Sequence, residues 1–127
     1  MSRLAQLIAH NEGFGVPREI PTVRHNPGDL RHSPHSQHPG GPVHANDIGT
    51  IDTDADGWAD LERQLHIYAA EGLTLLEMVN LYLGFAKDAP LDASKVDGNN
   101  RVPYLGSICA GLGMPATALV RDALALG

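Results

Sequence analysis

Residues 13–49 constrain the fold more than any other part of the chain. They hold six Gly and six Pro with no sustained apolar period, so neither a long helix nor a continuous strand can run through them. Helical patterning lies on both sides. A chain of 127 residues has room for one core and not two. The segment must therefore cross the surface of a single domain, residues 1–127, as a long ordered loop. One short hairpin is hinted at by Ile48 and Ile51 around Gly49. Irregular segments of this length inside compact domains are usually functional or disordered.

The flanking sequence predicts helices. Ser2 can cap a first helix with Leu4, Leu7 and Ile8 on one face, running to about Asn11 and stopping at Gly13. Thr53 followed by Asp56 is a capping-box pattern, and Trp58, Leu61, Leu65 and Tyr68 then form a stripe that ends at Gly72. Thr74 and Glu77 repeat the box for a third helix carrying Leu75, Val79 and Tyr82, which ends near Gly84. After a second loop over 86–100, a fourth helix covers about Arg101–Gly111, and Pro115 or Ala116 opens a last one through Leu124. The expected class is α+β and mostly α-helical, with any strands confined to the long loop.

Acidic residues outnumber basic ones 15 to 9 for a net charge of −6, which argues against a free-standing nucleic-acid binder. No run of about 18 apolar residues exists to span a membrane. The N-terminal MSRLAQLIAHNEGF lacks the apolar core of a signal peptide, so synthesis in a host cytoplasm without a leader is expected. The single cysteine, Cys109, excludes a disulfide framework and reads as core filler among Leu105, Ile108 and Leu112. Charge is uneven: residues 1–44 balance at +1 and hold six of the seven His, whereas 45–127 balance at −7. A cationic face on an acidic protein suits an anionic polymer, with a solvated loop as the plainer reading.

Among candidates for chemistry, Glu12 ends the first helix directly before Gly13 and Phe14. A carboxyl there, partly buried beside an aromatic ring, has its pKa raised and can act as a general acid near neutral pH. The plainer reading is a surface Glu that ends a helix. Asn26-Pro27-Gly28-Asp29-Leu30-Arg31 makes a defined tight turn that could hold a sugar N-acetyl group or position a water. Asp52, Asp54, Asp56, Gly57 and Asp60 match the opening of an EF-hand loop. Its twelfth position is Arg63, however, with Glu62 one place early, so an acidic helix start explains the same letters. His32, His35 and His38, with His25 and His44 near, sit in a polar stretch without the anchors of a structural zinc site. No metal and no cofactor is expected.

As an ordered set, LIAHNEGF, HNPGDLR, GTIDTDADGWADLERQL and GLTLLEMV resemble small phage and prophage proteins of lysozyme-like type. Those proteins are described as peptidoglycan hydrolases or virion structural proteins. The family's landmarks are a helix ending in Glu-Gly, an Asn-Pro-Gly-Asn-Leu-Arg turn, a Gly-Trp-x-Ala-Leu phrase and a Gly-x-Thr helix start. The likeness covers roughly residues 4–83. It carries Glu12 onto the catalytic acid and Asn26, Pro27, Gly28, Leu30 and Arg31 onto the turn. Asp29 stands where Asn is commoner, and LGFAKDAPLDASKVDGNN departs from the family's Ala-Pro-Pro-x-Glu-Asn. The family's strand-to-helix junction falls on Asp52–Gly57, which supports a helix start there.

The resemblance implies a lysozyme-like domain that cleaves the glycan strands of bacterial peptidoglycan, as a muramidase or a lytic transglycosylase, with Glu12 as general acid. A second carboxylate would be Asp29, Asp47 or Asp52, with Asp52 preferred because it ends the hairpin opposite the first helix. Asn26, Gly28, Arg24, Arg31 and His25 would face the polymer. No nucleic-acid or membrane partner is expected. The alternative is a non-catalytic virion or assembly protein that keeps the fold and contacts other virion proteins.

Overall fold

Ser2 starts the first helix by accepting the amide of Ala5 on its hydroxyl at 3.1 Å, satisfying one of the orphan N–H groups of a helix N-terminus. In the computed structural model, which describes residues 1–31, 33–36, 48–92 and 100–127, this helix is α1 (Arg3–Glu12). The amides of Gly13 and Phe14 close on the carbonyls of His10 and Ala9 at 3.1 and 3.0 Å, a Schellman ending. Glu12 is therefore the last helical residue.

The remaining helices among the described residues are α2 (Ile20–Val23), α3 (Asp54–Ala70), α4 (Leu75–Tyr82), α5 (Arg101–Leu112) and α6 (Val120–Leu124). Thr53 caps α3 by accepting from Asp56 N at 3.2 Å. Thr74 and Glu77 form a complete capping box on α4. α1 packs on α3, α5 and α6, while α3 meets α6 and α4 meets α5. Leu4 and Ile8 of α1, Leu61 and Leu65 of α3, Leu75, Met78 and Val79 of α4 and Ile108 of α5 are fully buried in one cluster. Each such side chain contributes about 1.5–3 kcal/mol of hydrophobic stabilisation. Cys109 packs against this cluster. No helix among the described residues is long and apolar enough to cross a membrane.

Three expectations change. The Gly/Pro segment contains one helical turn, α2, with Pro21 in its first turn, too short to leave a periodic signal. The expected β component reduces to two isolated bridges among the described residues, Ser36 with Ile51 and Thr74 with Leu119. The last helix begins at Val120 rather than Pro115 or Ala116. The carbonyls of Ala116 and Ala118 accept the amides of Leu76 and Leu75, and Val120 N donates to Leu73 O. Backbone groups that a longer helix would need are thus bonded to the start of α4.

Side chains fasten the long loop to the helices. Asn26 is fully buried; its Nδ2 donates to Leu30 O at 2.7 Å and Gly49 O at 2.8 Å, and its Oδ1 accepts from Leu30 N at 3.0 Å. Asp60, 2% exposed, accepts from Ser33 Oγ at 2.5 Å and His35 N at 2.9 Å, and its other oxygen lies 2.5 Å from His35 Nδ1. Gly57 lets α3 touch the turn, since a Cβ there would overlap the carbonyl of His25 and lie 2.7 Å from Pro27 Cδ. The second loop is held similarly. Asn80 donates to Lys87 O and Ala89 O and accepts from Arg101, whose guanidinium sits 3.9 Å over the Phe85 ring.

Candidate active site

The end of α1, the Asn26–Arg31 turn and one side of the α3–α4 pair enclose a cleft of about 750 Å³. Glu12, Asp29 and Arg31 line it from the first part of the chain; Gln64 and Tyr68 of α3 and Tyr82 of α4 face them. A second recess of about 330 Å³ lies beyond Glu12, bounded by Asn11, Asn100, Pro103 and Tyr104. Glu12 and Leu83 border both spaces, so the carboxyl stands at the divide between them.

Burial pushes the Glu12 carboxyl up to about 7, the charge of Asp29 adds to the rise, and a hydrogen bond from Tyr104 opposes it. That bond runs from the Tyr104 hydroxyl to Glu12 Oε2 at 3.2 Å. A carboxyl with such a pKa is substantially protonated at neutral pH and can hand a proton to a bound oxygen atom. Phe14, the aromatic residue next to Glu12 in sequence, packs edge-on against Trp58 at 5.4 Å. The ring that reaches the carboxyl belongs to Tyr104.

Asp29 occupies the left-handed region with φ 53, where Asn and Asp are the best tolerated residues after Gly. Its amide closes the turn on Asn26 O at 3.0 Å. Its Oδ1 is buried with no hydrogen-bond partner among the described residues, and burial raises its pKa while nearby Arg24 lowers it. An orphaned buried acceptor is costly unless it is protonated or receives a donor. Asp29 thus carries an unsatisfied acceptor beside the cleft that it lines.

The other expected site residues are placed differently. Asp52 is exposed just ahead of the Thr53 cap and does not line the cleft, whereas Asp29 does. Among the described residues, the pairing found where a hairpin was expected is the isolated Ser36–Ile51 bridge. Asn26 uses both side-chain atoms on backbone groups of the loop and holds the turn instead of presenting itself to a sugar. Gly28 is a packing residue: a Cβ there would lie 2.8 Å from Leu61 Cδ1 and from the Tyr82 hydroxyl, which donates to Gly28 O. Arg24 donates to Ile48 O, and His25 lies 2.7 Å from Asp54 at the start of α3. Of the described residues expected in a cationic wall, Arg31 lines the cleft, and Arg24, His25 and His35 do not. Asp47, His32, His38 and His44 lie outside the described residues.

The acidic run divides between two histidines: Asp54, in the first turn of α3, lies 2.7 Å from His25, whereas Asp56 and Asp60 lie 3.9 and 2.5 Å from His35. Burial also raises the Cys109 thiol, which disfavours the reactive thiolate.

Tyr104, Tyr68 and Gln64 were not singled out from sequence as site residues. A usable signal existed for the tyrosines, because a Tyr on an apolar helix face must find a partner for its hydroxyl. Nothing in the sequence named that partner. No protein-family model, curated protein or solved structure matches the chain.

Proposed function

We propose that this chain is a lysozyme-like, phage-type lytic enzyme that cleaves the glycan strand of bacterial peptidoglycan, with Glu12 as general acid. The observation that carries the reading is the Glu12 carboxyl, raised to about 7 by burial and standing at the divide of an open cleft. The resemblance of the Glu-Gly helix end and the Asn-Pro-Gly turn to that family supports the choice of substrate.

In the proposed reaction a glycan strand lies across Glu12. Its proton passes to the glycosidic oxygen between N-acetylmuramic acid and N-acetylglucosamine as the bond from that oxygen to the anomeric carbon breaks. Asp29, the other acid in the cleft, accepts a hydrogen bond from the incoming nucleophile and takes its proton. With water the product is a reducing sugar; with the sugar's own 6-hydroxyl it is an anhydro end. The distance between two such carboxyls governs whether a water fits between acid and base.

Incubation with purified sacculi, followed by mass spectrometry of the released muropeptides, tests the reading. Reducing or anhydro muramic ends support it and tell the two routes apart. Intact sacculi would favour the non-catalytic virion role.

A further inference from the structure

Resting on that reading of the cleft, we propose that Tyr104 is a positioning residue that engages Oε2 of Glu12 and so leaves Oε1 as the oxygen that carries the transferable proton.

A carboxylic acid has two chemically equivalent oxygens, and a general acid is efficient only when its proton sits on the oxygen that faces the leaving group. Glu12 is the last residue of α1, where one flanking turn of helix is missing and the side chain has more freedom than in a helix interior. Tyr104 removes that freedom. Its hydroxyl donates to Oε2 at 3.2 Å, and as a donor it favours the oxygen without the proton. The proton is directed to Oε1.

The tyrosine is itself held firmly. It is 8% exposed on α5, and the Tyr82 ring of α4 lies 6.5 Å away, tilted by 35°. The Tyr82 hydroxyl donates to the carbonyl of Gly28, the residue before Asp29. Two touching tyrosines thus link the peptide that carries one acid to the carboxyl of the other. Burial raises both phenols well above their ordinary value, so both remain donors throughout the neutral range. The other titratable groups that line the cleft with Glu12 are Asp29 and Arg31 of the turn and, facing them, Tyr68 of α3.

The test compares the wild-type chain, Tyr104→Phe, and the chain with 3,5-difluorotyrosine placed at position 104, whose more acidic hydroxyl is the stronger donor. The Glu12 carboxyl is titrated by carbon-13 NMR, and muropeptide release from sacculi is followed against pH. Phe should move the Glu12 pKa upward, and difluorotyrosine should move it downward. Phe should also lower kcat by about tenfold with KM within about twofold, the pattern of a contact that matters in the transition state. Loss of packing alone cannot produce opposite shifts from two rings of similar size. A Glu12 pKa that ignores both changes, or moves the same way in both, overturns the proposal. Opposite shifts in a protein that releases no muropeptides would uphold the Tyr104–Glu12 contact and refute the lytic function.

Discussion

Asp29 and Glu12 come from separate local structures, a left-handed turn position and a helix end, yet line the same cleft and are electrostatically coupled. The charge of Asp29 is the second cause of the Glu12 rise, after burial. Asp29→Asn keeps a residue suited to φ 53 and removes the charge. The Glu12 pKa should then fall from about 7 while staying above its ordinary value, because burial remains. Carbon-13 NMR titration of the Glu12 carboxyl in the variant checks this. An unmoved Glu12 pKa would show that the two acids do not communicate.

The same shift affects stability. Glu12 binds its proton more tightly folded than unfolded, so between its ordinary value of 4.5 and about 7 the folded state holds more protons. Stability from this group is therefore lost as pH rises through that window. Glu12→Gln removes the penalty. The variant should be more stable than wild type by about 1–3 kcal/mol at pH 8, with the difference vanishing below about pH 4.5. Urea titrations at the two pH values measure it.

Asn26 tests whether the turn is held from inside. Asn26→Ala would strand the Gly49 carbonyl and the Leu30 amide, while Leu30 O keeps its bond from Gly49 N, at a cost of about 2–4 kcal/mol in unfolding free energy. A sugar contact would instead raise KM and leave stability alone. Denaturant unfolding together with KM separates the two roles.

Helix ends were legible because their signals are local. Ser2, Thr53, Thr74 and Glu77 cap the helices they were expected to cap. The stripe residues Leu61, Leu65, Leu75 and Val79 are in the core. The long loop was not legible, since its path depends on Asn26 bonding to Gly49 and on Asp60 reaching back to Ser33 and His35. No periodicity marks such contacts. The position of Glu12 could be argued from its helix end. Choosing Asp29 over Asp52 required knowing that the turn lines the cleft and that Asp52 does not.

His35 offers a separate check on how the loop is held. Hydrogen bonding to Asp60, aided by its charge, raises the His35 pKa. The stabilisation is therefore complete below the ordinary histidine value of 6.5 and is lost as pH rises through the raised value. Amide exchange at Ser33–Ser36 should accelerate over that rise. In Asp60→Asn the His35 titration should return toward 6.5. An NMR titration of the imidazole reads both, and a His35 pKa unchanged in the variant would contradict the pairing.

In the proposed reaction Glu12 supplies the proton that breaks the glycan strand. That role is tested by muropeptide release from purified sacculi by the wild-type protein and by Glu12→Gln, each verified as folded. The amide keeps the shape and removes the proton, so release should fall by at least ~10²-fold. Equal release by the two proteins would contradict the account.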